Sequence, residues 1–283
     1  MTPDSFRLMS WNLLEGCLAP FDPDIGRRSL RDDRLSAARS LVRQADPDVL
    51  VINEALHCEP FGEQWQDYGG IFGFPHACYR LYDGAWGNAI LSRFPIRGEM
   101  HQLIHGPGGR QNRGFLAVHL DTPGEPTWVS TYHPHPHRRP FKREEDFEEF
   151  LSYMEGPAVM VGDLNAISPE DKPDRDLLVH GFVSFQAPQD AASSVDRFIE
   201  AGRLLFNNVL PSKGWRDAVP PASRGVTIPT GLIRSDRNTD MRIDHILVNE
   251  HVAVEDARPL HEPEADIASD HYPLICELRP AAA

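Results

Sequence analysis

Residues 47–54 read Pro47-Asp48-Val49-Leu50-Val51-Ile52-Asn53-Glu54. Four consecutive apolar residues, with no alternation, are the pattern of a strand buried on both faces. Upstream, Leu30, Arg34, Ala38, Leu41, Val42 and Ala45 recur near a 3.6-residue period. They predict a helix over 30–45, with Ser29 placed to cap it and Pro47 to end it soon after. Further upstream, Phe6 to Trp11 reads as a first strand. Downstream, Ala89–Leu91, Phe115–Leu120 and Thr127–Tyr132 read as strands. A helix is predicted from Pro140 to Met154, with Glu144, Glu145 and Asp146 near its positive end and Phe147, Phe150, Leu151 and Met154 as its buried stripe. Ala158–Val161, Ile243–Val248 and Tyr272–Leu278 complete the strands. Residues 167–215 show one clear helix, from Ser194 to Phe206. No change of composition marks a linker, so residues 1–283 are expected to form one domain. Strands interleave with helices, which makes the class α/β or α+β with a large core.

The chain has 283 residues, 41% of them hydrophobic and 25% charged, which excludes collagen-like, disordered and coiled-coil chains. No apolar run approaches the ~18 residues of a membrane span. The N-terminus, MTPDSFRLMSWN, lacks the basic and apolar regions of a secretory signal. Cys17, Cys58, Cys78 and Cys276 stand apart, with no zinc-ligand spacing, and read as free thiols of a reducing compartment. Cytoplasmic localisation is the expectation, with secretion after removal of a signal as the alternative. A net charge of −14 argues against a protein that coats nucleic acid electrostatically. It still allows a local phosphate site supplied with charge by a bound cation.

Polar residues recur at the tips of the apolar runs. Asn12 follows the first strand, Asn53 and Glu54 the second, His133 follows Tyr132, and Asp163 and Asn165 follow Val159–Val161. Towards the C-terminus the order inverts: Asp244 and His245 open one run, and Asp270 and His271 precede another. In antiparallel neighbours the end of one strand lies beside the start of the next, so these groups can gather at one edge. Each taken singly is equally an ordinary strand terminator.

The segments MSWNLLEG, DVLVINEAL, WGNAILSRFPI, STYHPH, MVGDLNA, RIDHILV and ASDHYPLICEL succeed one another in this order. Together they resemble the endonuclease/exonuclease/phosphatase superfamily, with its deoxyribonuclease-I-like fold, from about residue 6 to residue 279. The resemblance implies a four-layer sandwich: two face-to-face, mostly antiparallel sheets flanked by helices. It also implies divalent-metal-dependent hydrolysis of a phosphate ester, with Mg²⁺ as the expected cofactor and Mn²⁺ as a substitute.

A phosphate ester repels nucleophiles, so a catalyst must neutralise charge, position water and assist the leaving oxygen. On the resemblance, Glu54 is the expected metal ligand, with Asn12 and Asp270 as further metal-site residues. Asp163 is the expected base or water-orienting group, and Asn165 holds phosphate or water; one intervening residue would put both on one face of an extended segment. His271 is expected to donate to the phosphate or leaving oxygen, with Asp244 fixing and charging its ring. His133 matches a phosphate-contacting histidine, although Tyr132 interrupts the family's pattern before it. His245, alternating with Asp244, is expected on the opposite strand face. A zinc site from His133, His135 and His137 is the weaker reading of HPHPH. Asn88 is a candidate substrate-binding residue, as are Arg138 and Arg139, whose neighbours include Lys142 and Arg143. That cluster is read equally as a solvated helix start. Tyr82 and Trp86 are read as packing or as a stacking platform, and residues 105–114 as a turn.

The expected function is hydrolysis of a phosphodiester, in nucleic acid or in a small ester. The alternatives are a sphingomyelinase-like or inositol-phosphate-directed phosphoesterase, or a non-catalytic binding module on the same fold. Substrate choice is assigned to loops at 13–29, 57–86, 101–114 and 166–226.

Overall fold

The computed structural model describes residues 4–17, 31–56, 67–83, 86–106, 112–182, 188–235 and 240–281. One sheet is built from β1 (Phe6–Asn12), β2 (Val49–Leu56), β3 (His76–Asp83), β4 (Trp86–Ser92), β11 (Val252–Pro259) and β12 (Leu274–Pro280), in the order β11-β12-β1-β2-β4-β3. The other holds β5 (Ile96–Ile104), β6 (Arg113–Leu120), β7 (Thr127–Tyr132), β8 (Ala158–Asp163), β9 (Trp215–Asp217) and β10 (Asp244–Asn249), in the order β5-β6-β7-β8-β10-β9. Each sheet has one parallel pair near its centre, β1 with β2 and β7 with β8; every other pairing is antiparallel. The parallel pairs are joined through α1 (Asp32–Ala45) and α3 (Pro140–Ser152), as parallel crossovers require. The short α2 (Tyr68–Phe72) shares the outer core of the first sheet with α1. The expected sandwich of mostly antiparallel sheets is the fold observed.

The apolar run Val49–Ile52 explains the layering. Val49 and Val51 enter the core between the sheets, together with Leu8, Val159, Val161 and Ile246. Leu50 and Ile52 point the other way, under Ala38, Leu41 and Val42 of α1. On the second sheet Met160 and Tyr132 face Phe147 and Phe150 of α3. Strand periodicity of two therefore feeds two cores from one strand, which is why no polar residue interrupts it.

Several boundaries differ from the expectation. Ser29 lies outside the described residues; Arg31 occupies the N-cap of α1 without a side-chain cap, and Asp32 and Asp33 supply charge in the first turn. The helix expected from Ser194 starts earlier, as α5 (Pro188–Leu204), and continues into a π-helical turn over Leu205–Val209. Asp163 and Asn165 are joined by a turn, with Asn165 left-handed at φ 48°, and not by an extended segment. Residues 107–111 of the expected turn, and Cys58, lie outside the described residues.

Candidate active site

The parallel pairs bring four strand ends together. Asn12 pairs with Asn53 across β1 and β2, and Thr131 with Val161 across β7 and β8. Antiparallel β10 then places Asp244 opposite Asp163, the convergence expected from the inverted order of polar groups. The segment preceding β12 supplies Asp270 and His271. It is tied to the end of β1 by Trp11 Nε1, which donates to the His271 carbonyl at 2.8 Å, and by Ser269 Oγ, which donates to the Asn12 carbonyl at 2.6 Å.

Asp163 is the hub. Its Oδ2 accepts from Asn12 Nδ2 at 3.2 Å and lies 3.3 Å from His133 Nε2 and 3.8 Å from His271 Nε2. Its Oδ1 accepts from the Asn165 backbone N–H at 2.9 Å. Burial alone would raise this carboxyl, but His133 and His271 hold it well below the ordinary range. Asp244 Oδ2 lies 2.8 Å from His271 Nδ1. Burial would lower the His271 pKa, yet Asp244, Asp270 and Asp163 outweigh that and keep it well above the usual value. A buried imidazolium thus stands between two carboxylates, with Nε2 towards the cleft.

Glu54 sits where the pairing of β2 with β4 shifts register between Asn53 and Ala55, at φ 55°. A bulge of this kind re-aims one side chain at the cost of local strain. Here it turns Glu54 into the cleft, where Oε2 accepts from the Glu15 N–H at 3.0 Å. Burial raises its carboxyl; His133 opposes that shift and Asp270 adds to it. The Asp270 carboxyl is raised too, chiefly by burial. Two half-buried carboxylates face one cleft with oxygen donors, the chemistry a hard divalent cation takes. Among the described residues no group of three or more His, Cys, Asp or Glu side chains is placed to hold a metal by itself. Mg²⁺ uses few protein ligands and keeps waters, so Glu54 and Asp270 fit it. Asn12 is committed elsewhere: its amide N–H reaches Asp163, and its Oδ1 accepts from the Leu14 N–H at 3.0 Å.

The cleft, of about 380 Å³, is lined by Glu54, His133, Asp163, Asn165, Asp270 and His271 among others. Three expected substrate contacts lie outside that lining. Asn88 is buried one layer behind it, accepting from Asn53 Nδ2 at 3.0 Å. Arg138 is engaged by Asp146 through Nε and through Nη2 at 2.7 Å, which neutralises it at the start of α3. Arg139 is exposed at the N-cap of α3. Strand alternation resolves the intruding tyrosine. Tyr132 points outward, and its hydroxyl donates to Asp146 at 2.6 Å, while His133 turns into the cleft. The three histidines of HPHPH do not converge. His135 Nδ1 accepts from the His137 N–H, and His137 Nδ1 is 3.1 Å from Arg197 Nη2. His245 lies on the opposite face, with Nε2 2.8 Å from the Ala166 carbonyl. Tyr82 is buried, so packing is its role; the Trp86 side chain lies outside the described set.

Three supporting residues are given no role of their own by the sequence, where Asn53 is one polar strand tip among several and Arg143 a member of the basic cluster. Asn53 spans the sheets: Nδ2 donates to Thr131 Oγ1 at 3.0 Å, and Oδ1 accepts from the Asp163 N–H at 2.9 Å. Its place beside Glu54 is the one hint of this. Gly162 is required there, because a Cβ would come within 2.4 Å of Asn53 Oδ1, and its φ is 137°. Arg143, on α3, is buried and donates to the carbonyls of Asn165 (2.6 Å), His135 (3.0 Å), Pro136 (2.7 Å) and Arg138 (3.1 Å). Burial lowers its pKa to about 10, still protonated at neutral pH. It clamps the His133–Pro136 segment to the Asn165 turn.

The sequence pattern of the Endonuclease/Exonuclease/phosphatase family matches residues 9–271. No curated protein matches the chain by sequence. Among solved structures, an endonuclease/exonuclease/phosphatase from Beutenbergia cavernae is 22% identical with a TM-score of 0.65, over 98% of this chain and 72% of that one. The human Nocturnin catalytic domain with bound sulfate is 15% identical, TM-score 0.61, over 98% and 95%. Danio rerio TDP2 complexed with a single-strand DNA product is 13% identical, TM-score 0.61, over 97% and 99%. At these identities the likeness concerns the fold.

Proposed function

The chain belongs to the endonuclease/exonuclease/phosphatase family, and from that premise we propose that it is a divalent-metal-dependent phosphoesterase that hydrolyses phosphodiesters by attack of a positioned water. The observation that carries this reading is the unbroken series Asp244–His271–Asp163–His133, beside Glu54 and Asp270, in one cleft. A DNA product and a sulfate anion held by structures of the same fold agree with a phosphate ligand.

Glu54 and Asp270 would hold the cation, which when bound supplies positive charge to the phosphate oxygens. His271, charged and oriented through Nδ1 by Asp244, presents Nε2 as the donor to a phosphate or leaving oxygen. Asp163 already accepts several hydrogen bonds as a carboxylate, which suits it to orient a water and to anchor the two imidazoles. His133 adds a second ring nitrogen to the same oxygen of Asp163. Asn165 uses its amide N–H on the Pro134 carbonyl at 3.0 Å, which leaves its side-chain oxygen to face water or substrate.

Chromogenic phosphate mono- and diesters, assayed with Mg²⁺, with Mn²⁺ and with EDTA, test the proposal. Diester turnover that EDTA abolishes and Mg²⁺ restores is expected. Turnover unaffected by EDTA, or none with either metal, overturns it.

A further inference from the structure

The cleft has two unlike walls. The charged groups occupy one. The other carries Phe182 at the end of α4 (Arg175–Phe182), Phe198 on α5, and Ile228, Ile233, Met241 and Ile243 from the chain leading into β10. Most of this wall packs as a cluster apart from the three main cores, with the Phe182 and Phe198 rings edge-to-face at 5.7 Å. Phe182, Ile228, Ile233 and Met241 remain half-exposed, so apolar surface stands open to water beside the carboxylates. Covering such surface is favourable by about 25 cal/mol per Å².

This wall is tied to the charged one. The Thr230 N–H donates to the Asp270 carbonyl at 3.1 Å, and Ile228 and Met241 exchange backbone hydrogen bonds at 3.1 and 2.8 Å. Thr227 Oγ1 accepts from the Ile243 N–H at 3.0 Å. Phe198 lies against the Arg143 guanidinium, 5.8 Å from its ring centre. The apolar surface is therefore held at a fixed place relative to His271 and Asp163. Cationic lining is sparse: among the described residues Arg113 is the one Lys or Arg facing the cleft. A polynucleotide binds through a line of such groups, and a cavity of about 380 Å³ suits a compact ligand.

Resting on the phosphoesterase reading, we infer that the substrate is a compact phosphate ester bearing an aryl or branched-alkyl group, which seats against Phe182, Phe198, Ile228, Ile233 and Met241 while its phosphate meets His271. Binding is measured first, with Mg²⁺ present, by calorimetry on non-hydrolysable phenylphosphonate and methylphosphonate. Phenylphosphonate is expected to bind at least about tenfold more tightly. Ile233→Ser and Met241→Ser, both at half-exposed positions, shrink that ratio towards one with an unchanged melting temperature. Turnover is then compared for p-nitrophenyl diesters that share a leaving group and differ in the second ester, phenyl or methyl, and kcat/KM should run in the same order. Equal phosphonate affinities, a ratio that survives both substitutions, or tighter binding of an oligothymidylate than of phenylphosphonate overturns the inference. Discrimination in binding without turnover of any diester upholds the apolar seat and overturns the phosphoesterase reading instead.

Discussion

At the scale of single residues, the site depends on side chains tied to one another by short hydrogen bonds. His271 has Asp244 on one nitrogen and the cleft on the other, so His271→Ala removes the proton donor that Asp244 charges and orients. It is expected to lower kcat by roughly 10²–10⁴-fold and, by leaving Asp244 buried without its partner, to lower the melting temperature as well; near wild-type turnover would remove His271 from the mechanism. Gly162 makes the opposite prediction. Its φ of 137° and its contact with Asn53 leave no room for a methyl group. Gly162→Ala is expected to cost roughly 1–3 kcal/mol of stability in urea unfolding, because the strain falls on the bond from Asp163 N–H to Asn53.

At the scale of elements, α3 performs two tasks with neighbouring arginines. Arg143 points inward and gathers four carbonyls, whereas Arg138 satisfies Asp146 and Arg139 faces solvent. Arg139→Glu is accordingly expected to leave KM unchanged for every active ester. Arg143→Met leaves buried carbonyls without donors and should destabilise the fold by roughly 3 kcal/mol, seen in the denaturant midpoint. The elements also divide by how readable they are. The eight strands predicted from apolar runs are the eight interior strands of the two sheets. The four that the runs do not reveal, β3, β5, β9 and β11, are the four edges. An edge strand such as β5, half-exposed along almost its whole length in IRGEMHQLI, needs no second apolar face. The site is legible where a polar motif borders an apolar run of an interior strand, as at Glu54, Asp163 and Asp244. What stays illegible is how a strand-tip residue such as Asn53 bridges the two sheets, or that the partners of a cation such as Arg143 are backbone carbonyls. Asn88 and Arg138 mislead for the converse reason: their chemistry suits phosphate, but tertiary partners have already taken it.

At the scale of the molecule, charge ties the second sheet's β9–β10 edge to the loops around it. Arg242 bridges Asp171 at 2.9 Å and Asp217 at 2.7 Å. Burial would raise the Asp217 carboxyl, but the neighbouring His245 and the hydrogen-bonded Arg242 hold it at about 2, against an ordinary 3.8. Because the folded carboxyl titrates below the unfolded one, its stabilisation is complete above about pH 4 and drains away as pH falls towards 2. The amount is about 2 kcal/mol. Urea midpoints measured from pH 5 to pH 2 should fall more steeply for the wild type than for Asp217→Asn. The chain's long-range closure has a different kind of consequence. β12 inserts between β1 and β11, pairing Phe6 with Leu278, so β1 gains its second neighbour only from residues near position 280. During synthesis the first strand therefore stays unzipped on one side until residues 274–280 have been made, and Trp11 and Asn12 cannot meet His271 and Ser269 before then. Nascent chains stalled before residue 270 should stay open to protease and recruit holding chaperones, whereas chains with residue 280 clear of the ribosome should close in a single late step.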